Sequence, residues 1–249
     1  MRFARTFLTA VVATAMTALS ASAVLAAPKP GPTAGYDVSY PQCGGSLPDK
    51  AAFGIVGVSD GLAYGQNPCL APEYAWALKS PRTPAFYMNT GNPGSASTRV
   101  RWYEQTGPES CSVDHEAGCA YDYGYNGAQQ AFNYAASQTS LGAATSATWW
   151  LDVETANSWS SDSALNRVDI QGSIDFLRSV VTVVGIYSTS FQWGQITNGE
   201  QLGAEVPNWL AGALNAKRAP GLCSSSFTGG KVLLVQYPSG AFDAEYACP

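Results

Sequence analysis

Two carboxylates, Asp152 and Glu154, close an apolar run in TWWLDVETANSW, residues 148–159. In a strand, alternate side chains share a face. Trp150, Asp152 and Glu154 then point one way, and Trp149, Leu151 and Val153 the other. Two acids aimed together into a hollow form a candidate acid/base pair. Two more acids stand at comparable places: Asp37 in the strand-like run GYDVS, and Asp243 in GAFDAEY, just beyond the last such run. If the strands converge on one mouth, acids distant in sequence meet there. Crowding them together and out of water raises the pKa of at least one. A carboxyl kept protonated near neutral pH can give its proton to the oxygen of a breaking glycosidic bond.

Tyr40, Tyr87, Tyr187, Trp193, Trp209 and Tyr237 fall at or just after strand ends. Aromatic faces stack on sugar rings, and tyrosine hydroxyls hydrogen-bond them. Each alone reads more naturally as core. Their coincidence with the acids marks them as candidate substrate-binding residues.

The elements that must position these residues are visible in the hydrophobic periodicity. Strand-like runs recur at 35–39, 53–59, 85–89, 148–153, 181–187, 209–211 and 232–237. Leu70, Tyr74 and Ala77 follow helical spacing, as do Ala128, Phe132 and Ala135, and Ile170, Ile174, Leu177 and Val181. Strand alternating with helix predicts an α/β fold with a parallel sheet and crossovers. The rhythm changes near Glu205, after which at least two strand-like runs follow without an amphipathic helix. A barrel that begins as β/α and closes with strands alone fits this pattern. An open doubly wound sheet is the alternative, with no GxGxxG or phosphate loop to support it. Residues 91–124 form a long connection, rich in Gly, Ser and Pro at its start. Loops after strands build the active-site face of a β/α barrel, so this one is expected to wall a cleft.

The chain of 249 residues is 46% hydrophobic and only 12% charged, about half the usual charged share. Arg2 and Arg5 precede an apolar stretch from Phe7 to Leu19, and small-residue sites end at Ala23 and Ala26. This is the pattern of a secretory signal peptide over 1–26, followed by a Pro-rich lead-in over 27–34 and one domain over 35–249. The apolar stretch is shorter than the ~20 residues of a membrane span. The protein is therefore expected outside the cell, with no membrane contact after cleavage. Losing Arg2 and Arg5 takes the net charge from −5 to −7, and an acidic protein is not drawn to nucleic acid. Six cysteines in an exported chain imply disulfides. Cys111 and Cys119 can close a small loop, Cys223 and Cys248 share the last segment, and Cys43 and Cys69 remain for each other. Without a CxxC pair, neither zinc nor thioredoxin chemistry is expected. No cofactor is called for, and a monomer is expected.

Rival chemistries are weaker. GVSDG, residues 57–61, matches the GxSxG nucleophile elbow, which would make Ser59 the nucleophile of an esterase. The elbow should open a helix, yet LAYGQNPC follows, and the sole histidine, His115, sits in the Cys-bounded loop CSVDHEAGC. His115 with Asp114 and Glu116 lacks any zinc or EF-hand spacing, so no metal site is expected.

GYDVSYPQ resembles the G-I-D-V-S-x-x-Q opening of family 25 glycoside hydrolases, the Chalaropsis-type lysozymes. WWLDVET is similar to their Asp-x-Glu strand, and VGIYSTSFQW to their G-I-Y-T/S…W strand. NWLAGA resembles their L-W-x-A strand, and VLLVQYPSGAFDAEY their closing W-Q-Y…V-D-x-N. Order and spacing hold from Gly35 to Tyr246. The resemblance implies an irregular, TIM-like β/α barrel of about five β/α units closed by three strands. It implies cleavage of the β-1,4 bond between N-acetylmuramic acid and N-acetylglucosamine in peptidoglycan. Glu154 would be the general acid, Asp152 would orient the substrate's acetamido group, and Asp37 and Asp243 would complete an acidic ring. Two departures stand out. The family's Lys-x-(Thr/Ser)-Glu-Gly after the second strand is here GVSDGLAYG, with Asp60 for Glu, and Glu245 replaces the closing Asn. A sugar-binding barrel that no longer cuts is the rival reading, since stacking aromatics serve either role.

Overall fold

The structure, a computed structural model, describes residues 34–96 and 99–249. The expected signal, and all of the lead-in except Ala34, lie outside the described residues. Eight strands form a closed barrel in chain order. They are β1 (Gly35–Val38), β2 (Gly54–Gly57), β3 (Ala85–Asn89), β4 (Trp149–Asp152), β5 (Val184–Ser188), β6 (Asn208–Leu210), β7 (Val232–Ser239) and β8 (Phe242–Ala247). Strands β1 to β6 are each parallel to their successors, so β1 to β7 run the same way, whereas β8 runs antiparallel to both β7 and β1.

The helices are α1 (Leu70–Ala77), α2 (Glu116–Gln138), α3 (Leu141–Ser146), α4 (Ser163–Val180) and α5 (Ser190–Thr197). They follow β2, β3, β4 and β5. After β1 comes only a 3₁₀ turn, Tyr40–Gln42, so the first β/α unit is reduced to a single turn. Another 3₁₀ turn, Ala219–Leu222, lies between β6 and β7. Local chemistry sets the helix starts. Asp162 caps α4 by accepting from the Ala164 amide at 2.8 Å, and Thr189 caps α5 by accepting from Gln192 at 3.1 Å. Among the described residues no helix is long and apolar enough to cross a membrane.

Strand alternation sorts the side chains into two layers. Ile55, Trp150 and Trp209 form the inner cluster, with Tyr87 and Tyr187 packed against it. Val56, Phe86, Met88, Trp149, Leu151 and Ile186 face the helices in the outer core. The helices α2 and α4 meet at close range. A Cβ on Gly124 would lie 1.9 Å from the Asp169 carbonyl oxygen, and one on Gly172 would lie 2.2 Å from that of Tyr121. On the side of β1, β7 and β8, where no α-helix follows in the chain, the outward rings of Tyr36, Tyr237, Phe242 and Tyr246 are half-buried. Tyr36 and Phe242 meet edge to face at 6.4 Å.

Three expectations need correction. The last strand, β8, is not among the predicted runs, and Asp243 lies inside it rather than beyond the sheet. Strand β5 starts at Val184, not Val181, because Val181 closes α4 with its amide on the Leu177 carbonyl. Residues 116–124 of the expected loop belong to α2. The three disulfides are Cys43–Cys69, Cys111–Cys119 and Cys223–Cys248, the pairs read from sequence.

Candidate active site

Because seven consecutive strands run the same way, their C-terminal ends open on one face of the barrel. A pocket of about 260 Å³ lies there, lined by Asp37, Tyr40, Tyr87, Asp152, Glu154, Tyr187, Trp209, Gln236 and Asp243. Among the described residues, no Lys, Arg or His lines it. All four acids singled out in the sequence therefore share one hollow.

Asp152 ends β4 and is buried. Its register neighbour on β3 is Asn89, whose Nδ2 donates to Asp152 Oδ2 at 2.5 Å. Among the described residues, its other oxygen, Oδ1, meets no N–H or O–H donor from a neutral group. The remaining neighbour in reach is the carboxyl of Glu154, two residues on and half-buried at the mouth. Burial pushes the Asp152 carboxyl well above the usual carboxylate range; the charges of Glu154 and Asp37 and the hydrogen bond to Glu154 add to it. A proton on the Asp152 carboxyl lets it hydrogen-bond to Glu154 instead of repelling it. Glu154 is braced from α5: Gln192 Nε2 donates to Glu154 Oε1 at 3.3 Å, while Gln192 Oε1 accepts from the Thr155 amide at 2.6 Å. The chain after Glu154 turns back, and Asn157 and Thr90 both donate to the Asp152 carbonyl, at 3.1 and 2.6 Å.

Across the pocket, Asp37 on β1 pairs in register with Asp243 on β8. Burial raises the Asp37 carboxyl to about 6, with Asp243 adding to the rise and hydrogen bonds to Glu245 and Gln236 opposing it. Asp243 lies at the rim, and partial desolvation raises its pKa as well. The floor is aromatic. The Trp209 ring packs against Tyr187 at 4.5 Å, Trp150 at 5.8 Å and Tyr87 at 6.0 Å. Gly57 makes room for the Tyr87 hydroxyl, which a Cβ there would meet at 2.8 Å. Tyr40 stands on the rim, 43% exposed. Its hydroxyl lies where a Cβ on Gly61 would come within 2.8 Å, and Gly61 has φ +90°, a conformation that favours glycine.

Two of the six aromatic candidates lie elsewhere. Trp193 sits in α5, only 1% exposed, with Nε1 on the Glu200 carbonyl at 2.9 Å. It lies past the end of β5, in the first turn of α5, so the helix carries it into the outer core. Tyr237 falls on the opposite side of β7 from the pocket residue Gln236, because adjacent residues of a strand alternate. The long connection after β3 borders a hollow, but a different one. A second cavity of about 300 Å³ is lined by Leu62, Ala63, Thr90, Pro93, Arg99 and Asn157, beside the acid pocket at the end of β4. Asp60 points toward this side and pairs with Arg99 at 3.3 Å.

Ser59 is no nucleophile elbow. It is buried, its Oγ accepts from the Asn89 amide at 3.2 Å, and α1 begins only at Leu70. His115 precedes α2 on the exposed surface. Asn89, Gln192, Gln236 and Glu245 were missed by residue-type reasoning. The first three are neutral amides with no motif, and Glu245 was noticed only as a departure from a family pattern.

Comparison with known proteins agrees with this fold. A family profile described as "Lysozyme-like protein 1" matches residues 119–220. "Probable GH family 25 lysozyme 4" of Dictyostelium discoideum is 39% identical over 62 residues. That match spans 25% of this chain and 29% of the other protein. A family GH25 lysozyme from Aspergillus fumigatus superposes with a TM-score of 0.57 at 14% identity, covering 87% of this chain and 94% of that one. A muramidase from Trichobolus zukalii gives 0.53 at 18% identity, covering 86% and 93%. The bacterial lysozyme of Streptomyces coelicolor gives 0.53 at 16%, covering 88% and 93%. The barrel is thus of the kind these lysozymes share, and the chain resembles family 25 glycoside hydrolases in both motif order and fold.

Proposed function

We propose that this protein is an exported glycoside hydrolase that cuts the β-1,4 bond between N-acetylmuramic acid and N-acetylglucosamine in peptidoglycan, with Glu154 as general acid. The observation that carries this reading is the Asp152–Glu154 pair, one carboxyl buried and one at the mouth, in hydrogen-bond contact. Retaining enzymes that use two carboxylates hold them about 5–5.5 Å apart, and inverting ones about 6.5–9.5 Å. Carboxyls in contact cannot straddle a sugar–sugar bond. Both act from one side, which suits a reaction in which the substrate's own acetamido oxygen attacks the anomeric carbon.

In that reaction Glu154 gives the pair's proton to the leaving oxygen. Asp152, then anionic, accepts a hydrogen bond from the acetamide N–H and turns its carbonyl oxygen toward the anomeric carbon. Water opens the cyclic intermediate, its proton passes to Glu154, and configuration is retained. Tyr40 at the rim and the aromatic floor offer stacking faces to the sugar rings. A pocket without cations suits a neutral, N-acetylated ring. Three disulfides are compatible with an oxidising, extracellular setting.

Incubation of purified protein with defined peptidoglycan is expected to yield fragments with new muramic-acid reducing ends, read by mass spectrometry. New glucosamine ends would assign a different bond. Retention on the polymer with no new ends would leave a glycan-binding barrel, a role the same aromatic floor could serve.

A further inference from the structure

Beneath the catalytic pair the barrel holds a second pair of carboxyls, and one member, Glu245, replaces a neutral residue of the pattern this chain resembles. Glu245 points inward from β8 and has no exposed surface. Its Oε2 accepts from the indole Nε1 of Trp209 at 2.7 Å. Among the described residues, its buried Oε1 meets no N–H or neutral O–H donor. The group that faces it is the carboxyl of Asp37, within hydrogen-bond reach on the adjoining strand β1. Asp37 is approached from a second side. Gln236, the register partner of Glu245 on β7, donates through Nε2 to Asp37 Oδ1 at 3.2 Å. The hydroxyl of Tyr187 holds Gln236 Oε1 at 2.8 Å, which turns the amide nitrogen toward Asp37.

This arrangement decides where a proton must go. Each carboxyl already accepts one N–H, Asp37 from Gln236 and Glu245 from Trp209, so the hydrogen bonds alone do not choose between them. Exposure does: Glu245 has no exposed surface, whereas Asp37 is half-buried and lines the pocket, so a charge costs less on Asp37 and the proton stays on Glu245. Two bare carboxylates in contact, buried without a cation, would repel strongly. We propose that Glu245 is a positioning residue for the acid pocket: held by Trp209, it keeps its proton and donates it as a hydrogen bond to Asp37, fixing Asp37 as the single anion of the pair. This rests on the hydrolase reading for its catalytic meaning, since the Asp37 charge acts on Asp152 across the pocket. The titratable groups facing the pair are Asp243 on β8, Asp152 and Glu154 from the β4 end, and the hydroxyls of Tyr87 and Tyr187. Burial raises Glu245 well above the usual carboxyl range, and the Asp37 charge and hydrogen bond add to this. Asp37, at about 6, therefore loses its proton first.

The test follows the Trp209 indole N–H in ¹⁵N-labelled full-length mature protein, its signal assigned by its loss in Trp209→Phe. In the wild type it should shift in two steps, one near pH 6 and one higher. Glu245→Gln, which preserves both hydrogen bonds, should lose the upper step. Asp37→Asn should move that step to lower pH, because the neighbouring negative charge is gone. Turnover gives the second readout. Glu245→Gln should stay close to wild type, while Glu245→Leu, which offers Asp37 no donor, should fall about 10–100-fold. A wild-type signal without the upper step, an upper step that persists in Glu245→Gln, or a Gln variant as impaired as Leu would each overturn the proposal. The titration needs no turnover. Two steps in a protein that releases no sugar ends would sink the hydrolase reading and leave the carboxyl pair standing.

Discussion

Glu154 and Asp152 stand two positions apart, yet one reaches the pocket mouth and the other is sealed below it. Their variants should therefore differ. General acid catalysis by one placed carboxyl contributes about 10²–10⁴-fold, so Glu154→Gln should lose at least roughly that much turnover with fold and polymer binding kept. Wild-type digestion rates in that variant would remove Glu154 from the role. Asp152→Asn should also slow turnover on N-acetylated substrate, and unimpaired rates there would refute the acetamide contact. The acids were legible because a period of two and a strand end suffice to aim a side chain. Their supports were not. Asn89 and Gln236 are neutral amides whose importance comes from register across β3–β4 and β7–β8, and Gln192 acts from a different element altogether.

At the scale of elements, the barrel rhythm could be read wherever a strand buries apolar side chains on both faces or on its helix side. Strand β8 escaped because its inward positions are Asp243 and Glu245. A charged face normally means water; here Asp243 stands at the pocket rim and Glu245 is sealed inside the barrel. Helix α5 escaped because it spans two turns, contains Gly194 and shows no apolar repeat. That helix explains why Trp193 and Tyr40 should behave oppositely. Trp193→Ala empties a core site and should cost about 3–5 kcal/mol of stability, with glycan binding by the folded fraction unchanged. Tyr40→Ala should weaken binding with little loss of stability, as thermal melts and pull-down on insoluble peptidoglycan would reveal. The Cys43–Cys69 disulfide ties the turn bearing Tyr40 to the start of α1. Replacing both cysteines by serine should cost about 3–4 kcal/mol on the chain-entropy account and raise KM more than it lowers kcat. An unchanged KM would mean the rim holds its shape without the bond.

For the molecule as a whole, buried acids set how stability depends on pH. Burial raises Asp37 to about 6 and pushes Asp152, Asp169 and Glu245 well above the usual carboxyl range. A carboxyl whose folded pKa lies above its unfolded value binds more protons when folded. Its contribution is present below about pH 4 and is lost as pH rises toward the folded value. The melting temperature should thus fall between about pH 4.5 and 7, and a rise over that range would contradict the assignment. Asp169 makes a clean probe. It stands on α4, fully buried, with neither oxygen partnered among the described residues. Relative to wild type, Asp169→Asn should gain melting temperature as pH increases, by about 2–4 °C for each kcal/mol of charge burial avoided. A difference independent of pH would show that Asp169 is not the group responsible.

The wall of the barrel is not equally thick all round. From β2 to β5 each strand is followed by a helix, while β1, β7 and β8 rely on a few half-covered tyrosine and phenylalanine rings. Asp37, Gln236, Asp243 and Glu245 all stand on that thin side. Small openings there would let solvent deuterons reach the barrel floor from behind, without passing any sugar bound at the front. Amides of β1 and β8 should then exchange ahead of those of β3 and β4, and a saturating glycan should slow the latter more than the former.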